Sequence, residues 1–155
     1  MDIETKLKKL NFELPEVSTK EFPFEKGIIV DNLIYLSGQT PTIKGEIPYK
    51  GTVGVNVNME QAKESAIICT LNLLTNLKQL VGDLASVKRI VKVNGYVASS
   101  HDFTDHSIIL NAASDLLNEL FDFKHARAAI GVASLPNGAP VEIEMIVEWD
   151  SSRGI

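Results

Sequence analysis

The stretch Ala126-Arg127-Ala128-Ala129-Ile130-Gly131-Val132-Ala133 carries the residue best equipped for chemistry. Side chains alternate across a strand, so Arg127, Ala129, Gly131 and Ala133 share one face. A long cation followed by three small side chains describes a recess with a guanidinium at its rim. Arginine suits a carboxylate because its planar fork donates two parallel, charge-assisted hydrogen bonds. On spacing alone the simpler assignment is an ion pair with Glu144 or Glu148 across the sheet. Glu142 is the second candidate. Facing an apolar recess, it would lose hydration, rise in pKa and become a general base toward water. The alternative is an ordinary solvated strand carboxylate.

Other polar groups fit known chemistries less well. His101, Asp102, Asp105 and His106 straddle a helix start without the spacing of a metal-binding helix, so they do not read as a metal site. Ser37 lacks the flanking glycines of a nucleophile elbow. Gly51-Thr52-Val53-Gly54 lacks the lysine and following helix of a phosphate loop.

The elements that must position these residues follow from periodicity. Residues 1–10 predict a short amphipathic helix through Ile3, Leu7 and Leu10, ended by Pro15. Glu16 to Lys26 predicts an irregular arm that packs through Phe22 or Phe24. Gly27 to Gly38 reads as a hairpin turning at Asp31-Asn32, broken by Ser37-Gly38-Gln39, and Thr40 to Val57 as a long loop. Asn58 to Val81 predicts a helix, with Ala62, Ala66, Cys69, Leu73, Leu77 and Leu80 on its apolar stripe. It has an Asn58–Gln61 capping box and Gly82 as a left-handed cap. The stripe makes Cys69 a buried, inert thiol. Val87 to Ala98 predicts a strand, and about Asp105 to Phe121 a second helix with Ile108, Ala112, Leu116 and Leu120 inward. Ala126 to Ala133 and Val141 to Trp149 predict the last two strands, with turn chemistry at Pro136-Asn137-Gly138.

The expected fold class is α+β, in the order ββαβαββ. Right-handed crossovers place both helices on one face of a single sheet, and small and acidic residues are left on the other. Such a half-covered sheet suits burial against other subunits. If the last two strands form a simple hairpin centred near Asn137, Arg127 pairs with residue 146 or 147. Glu142 then stands on the order of 13 Å along. A shared site would need a non-hairpin connection or two subunits meeting.

Composition bounds the setting. The chain has 155 residues, 45% hydrophobic and 23% charged, which is the size and make-up of one globular domain spanning 1–155, residues 1–14 forming its helix and arm. The net charge of −5 argues against nucleic acid, whose phosphates need clustered cations. Lys6-Leu7-Lys8-Lys9 and Lys88-Arg89 read as solvated faces. One cysteine excludes an internal disulfide, and the acidic start and lack of a long apolar run argue against a leader or membrane partner. The expected location is the cytoplasm.

Leu36-Ser37-Gly38-Gln39-Thr40-Pro41, Gly82-Asp83-Leu84, Ala126-Arg127, Leu135-Pro136 and Val141-Glu142-Ile143-Glu144, in this order, resemble the RidA (YjgF) family, also labelled L-PSP endoribonuclease. The leading helix, the Gly51–Gly54 segment and Ala113-Ser114-Asp115-Leu116-Leu117 are similar to its longer subgroup. The resemblance covers residues 1–149 and implies a chorismate-mutase-like homotrimer with clefts between subunits. It also implies hydrolysis of 2-imino or enamine acids to 2-keto acids and ammonia, without metal or organic cofactor. By the same resemblance Arg127 grips the substrate carboxylate, Glu142 activates water, Ser37 and Gly38 line the carboxylate pocket, and Asn111 reaches in from a neighbour. Ala129 stands where the family often has Cys, leaving its backbone groups to bind water. Phe24 stands near a family Tyr, without the hydroxyl. Two other readings stay open: an endoribonuclease or translation inhibitor, and a non-catalytic trimer that binds a small carboxylate through Arg127.

Overall fold

The computed structural model describes residues 1–153. The chain begins with helix α1 (Ile3–Lys9), capped by the Asp2 side chain accepting from Thr5 N at 2.7 Å. Only Leu7 of this helix is fully buried, and the helix ends before Pro15 acts. Asn11 adopts a positive φ of 65°, and Phe12 N donates to Leu7 O, closing the last turn. The arm that follows is held by Phe12 and Leu14 against the core and by Thr75 Oγ1 donating to Pro15 O at 2.9 Å. Phe22 and Phe24 do not anchor it. They are 45% and 57% exposed and stack on each other, with centroids 5.1 Å apart. An aromatic followed by Pro23 on an irregular arm had no element period to aim it inward.

Strands β1 (Gly27–Val30) and β2 (Leu33–Gln39) form the expected hairpin, with Asp31 at φ 55°. Ser37-Gly38 does not end the second strand. The register with the last strand runs Leu36↔Met145 and then Gln39↔Ile143, so two residues oppose one in a β-bulge. Helix α2 (Met59–Val81) carries the complete Asn58–Gln61 capping box and closes at Gly82, φ 84°. Ala62, Ala66, Cys69, Leu73, Leu74 and Leu77 are fully buried, each large apolar side chain contributing about 1.5–3 kcal/mol. The Cys69 Sγ donates to Val141 O at 3.6 Å, and burial pushes the thiol well up in pKa, an inert group as expected.

Strand β3 (Val87–Ala98), helix α3 (His106–Leu120), strand β4 (Ala126–Val132) and strand β5 (Val141–Trp149) complete the chain. On α3 the buried stripe is Ile109, Leu110, Ala113, Leu116, Leu117 and Leu120; Ile108 is exposed. The stripe lies one position later than expected in the first turns, because β3 offers the recess of Gly95 to Leu110. A Cβ on Gly95 would lie 2.2 Å from the leucine Cδ1.

One five-stranded sheet, in the order β1-β2-β5-β3-β4, backs α2 and α3, which pack beside each other on one face; α1 lies against α3. The α+β class holds, as a single sheet with three α-helices among the described residues, α1 preceding the expected ββαβαββ succession. The last two strands are not a hairpin. β4 pairs parallel with β3 through α3, and β5 slots antiparallel between β2 and β3. The α2 crossover leaves one strand's width open between β2 and β3, and the apolar alternate residues Val141, Ile143, Met145 and Val147 fill it from the helix side.

The long loop is tied down at the C-terminal end of β3. Val53 bridges Ser99, Gly51 N donates to Gly138 O at 2.9 Å, and Ile47, Val53 and Val57 are buried. None of the described helices is long and apolar enough to cross a membrane.

Candidate functional site

Arg127 lies on β4, an edge strand, opposite Val93 of β3. Val93 is fully buried under the helices, so the shared row aims Arg127 toward α3. Its Nη1 donates to Asn111 Oδ1 at 2.8 Å and to Ser114 Oγ at 3.1 Å. Glu144 and Glu148, the ion-pair partners that spacing suggested, are engaged elsewhere. Tyr96 Oη donates to Glu144 at 3.0 Å, and Glu148 faces Arg89 at 3.8 Å and Asn32 at 3.4 Å. Among the described residues no carboxylate neutralises Arg127. Both N–H groups of Nη1 are used on neutral acceptors. Nε and Nη2, the edge that forms a side-on fork with a carboxylate, have no partner among the described residues.

Asn111 was expected to reach in from a neighbour; it bonds Arg127 of its own chain, because α3 runs over β4. Ala129 follows on the same face of β4 and is packed against the core. Two further groups belong here. His125 Nε2 shares a 2.9 Å hydrogen bond with Ser114 Oγ, and its Nδ1 is buried without a partner. Burial and then the Arg127 charge lower the imidazole pKa from its ordinary value. The alternation that aligned Arg127, Ala129 and Gly131 also aligned His125, and Ser114 is three residues from Asn111. Those signals were available in the sequence.

Glu142 belongs to a second group of residues. It lies opposite Tyr96 on the sheet face that no helix covers, since Val141 and Ile143 on either side are buried under α2 and α3. Gly38, in the bulge of β2, touches it: a Cβ there would lie 3.0 Å from Glu142 Oε2. Burial first, and the charge of Glu144 second, raise the Glu142 pKa above 4.5. Ser37 lies beside Gly38, but its hydroxyl donates to Glu25 O at 2.6 Å, which ties the arm bearing Phe24 to this side of the molecule.

The candidate residues therefore fall into two sets. Arg127, Asn111, Ser114, His125 and Ala129 sit between β4 and α3. Glu142, Gly38, Ser37 and the Phe24 arm sit at the open face and its bulge. With three rows and two strand spacings between them, Arg127 and Glu142 are roughly 14 Å apart at Cα.

His106, set aside as a metal ligand in the sequence, shares a 3.1 Å hydrogen bond between Nε2 and Ser99 Oγ, while His101 and Asp102 are exposed.

The profile of the family described as "YjgF/chorismate_mutase-like, putative endoribonuclease" matches residues 4–139. The chain belongs to this family. Among YjgF-type relatives, Protein TCP17 of Trypanosoma cruzi is 33% identical over 96% of this chain and 95% of its own. A 2-iminobutanoate/2-iminopropanoate deaminase of Dermatophagoides farinae is 32% identical over 81% of this chain and 84% of its own. The crystal structure of Atu1372 from Agrobacterium tumefaciens superposes with a TM-score of 0.87 at 41% identity, covering 96% of this chain and 92% of that one. The YjgF fold implied by the Ser-Gly, Ala-Arg and Glu-Ile-Glu segments is thus the fold of this chain.

Proposed function

We propose that this protein hydrolyses reactive 2-imino or enamine acids to 2-keto acids and ammonia, in a homotrimer whose sites join the two sets of residues across subunit boundaries. One observation carries the reading: Arg127 is a partly buried cation whose carboxylate-binding edge has no partner among the described residues. The deaminase name of relatives near 30% identity supports the substrate class. Within one chain Glu142 is on the other sheet face, so the reading assigns the water-activating carboxylate to a neighbouring copy. Gly38 leaves that carboxylate uncovered by any side chain of its own. Assembly against the half-covered sheet would bring the two together.

The chemistry asks little beyond placement. Arg127 fixes the substrate carboxylate and so orients the imine carbon. Glu142, with its pKa raised by burial, takes a proton from water as the oxygen attacks that carbon and the C=N electron pair moves to a protonated nitrogen. The carbinolamine then collapses: protonated Glu142 returns its proton to the nitrogen, the C–N bond breaks and ammonia leaves, and the hydroxyl proton passes back to the Glu142 carboxylate as the ketone forms. Ala129 contributes only its backbone beside the clamp.

The test couples the purified protein to a threonine dehydratase, which releases the imine. The wild type should speed keto-acid formation and Arg127→Ala should not. No acceleration by the wild type would end the proposal. Retained binding of a keto acid without turnover would instead favour the non-catalytic carboxylate binder, which keeps Arg127 and makes Glu142 dispensable. An endoribonuclease has less support here, because the chain is acidic and the uncovered sheet face presents Glu142, Glu144 and Glu148.

A further inference from the structure

We infer that Ser114 and His125 are positioning residues for Arg127, and that carboxylate capture at Arg127 is linked to proton uptake at His125. The inference rests on the carboxylate-binding role of Arg127 proposed above and adds the means by which this chain holds and tunes that cation.

A chain of two hydrogen bonds carries it. Arg127 Nη1 donates to Ser114 Oγ at 3.1 Å, and Ser114 Oγ is hydrogen-bonded to His125 Nε2 at 2.9 Å. Asn111 Oδ1 holds the other Nη1 proton at 2.8 Å. Two anchors on one nitrogen fix the guanidinium plane, which points the Nε–Nη2 edge outward. A long, flexible side chain on an edge strand would otherwise sample many rotamers and lose that freedom only on binding. The serine cannot rotate freely either, because the imidazole beyond it occupies its second position.

His125 is the uncommon part of this arrangement. Its Nδ1 is buried with no partner, and so is Asn118 Oδ1, one helical turn beyond Ser114 on α3. Arg127 is the charge that acts on the ring. From α3 the neighbours on this side are Ser114 and Asn118, while Asp115 and Glu119 are exposed. From β3, Lys92 stands opposite Ala126, whose side chain points to the uncovered face, and Arg89 lies over the Phe123 ring at 4.4 Å. From α1, Lys6 is bound to Leu120 O at 3.2 Å. On its own segment Asp122 and Lys124 are exposed. A proton on His125 thus faces one cation and no described compensating anion.

A carboxylate seated on Arg127 cancels that repulsion. Binding then favours protonated His125, and by reciprocity protonated His125 favours binding. Affinity should rise as pH falls through the range in which His125 titrates, and level off once the free protein is itself protonated. The carboxylate ligand stays ionised throughout.

The experiment follows the His125 ring by NMR across pH in the wild type, Arg127→Gln and Arg127→Lys. It also measures 2-oxobutanoate affinity by calorimetry at several pH values in the wild type and His125→Gln. The His125 pKa should rise in Arg127→Gln and stay low in Arg127→Lys, which separates charge from a packing disturbance. Wild-type affinity should strengthen by about three- to tenfold toward acid pH with proton uptake, and His125→Gln should lose that dependence. An unchanged His125 titration in Arg127→Gln overturns the coupling whatever the reaction. So does binding whose pH dependence survives in His125→Gln, and there the deaminase reading stands. Absence of any 2-oxobutanoate binding overturns the coupling, whereas the deaminase reading stands or falls on acceleration in the dehydratase assay.

Discussion

Arg127 and Glu142 lie on opposite faces of one sheet. The guanidinium is held under α3 by Asn111 and Ser114, whereas the Glu142 carboxyl is on the face that the helices leave uncovered, against Gly38. No rotamer change within a chain joins them, since β3 stands between their strands. Any reaction that uses both residues therefore uses two copies of the chain.

Subunit mixing tests this directly. Arg127→Ala and Glu142→Gln should each be inactive alone. Co-refolded in equal amounts they should regain activity, reaching about a quarter of the wild type for random mixing in a closed ring. An inactive mixture, with mixed oligomers demonstrated by mass spectrometry, would place both residues in one chain's site or in none.

Charge alone should not replace Arg127. Arg127→Lys keeps a cation but loses the fork and the Asn111–Ser114 anchorage, so kcat/KM in the coupled assay should fall by roughly 100-fold, the equivalent of two bonds to a charged group at about 1.5 kcal/mol each. Arg127→Ala should fall at least as far. A near-wild-type Arg127→Lys would show that fork geometry is unimportant.

Glu142 should set the acid limb of the rate and also weaken the fold. Burial and Glu144 raise its pKa in the native state above 4.5, so the fold favours the protonated form. That contribution is fully present below the ordinary value and is lost as pH rises through the raised native one. Glu142→Gln, neutral at all pH, should therefore melt higher than the wild type at neutral pH, and the gap should close toward about pH 4. Activity should fall on acidification at a higher pH than an ordinary glutamate would give. Equal melting temperatures at neutral pH would contradict the burial assigned to this carboxyl.

Gly95 should tolerate no side chain. A Cβ would meet Leu110 Cδ1 at 2.2 Å and Cγ at 2.4 Å, and Leu110 is fully buried with no room to yield. Gly95→Ala should cost about 1–3 kcal/mol in urea unfolding through overpacking. Gly38→Ala, by contrast, meets the carboxylate end of the Glu142 side chain at 3.0 Å, so it should reduce turnover more than stability.

Much of this protein was determined locally. The Asn58–Gln61 capping box, the apolar stripe of α2, the alternation of β5 and the positive φ at Asp31 are set by neighbours within a few residues, so the sequence alone displays them. Alternation likewise put Arg127 and Glu142 at readable positions on their strands. What remained undetermined was which strand lies beside which. A strand's period says which residues share a face, but not which partner completes its hydrogen bonds or which face the helices will cover. The gap between β2 and β3 exists only once both crossovers have formed, and β5 enters it because its apolar side completes the core there. That single placement separated Arg127 from Glu142 and made the Ser37-Gly38 segment a bulge instead of a strand end, while the α3 crossover onto β4 brought Ser114 to His125 and the guanidinium.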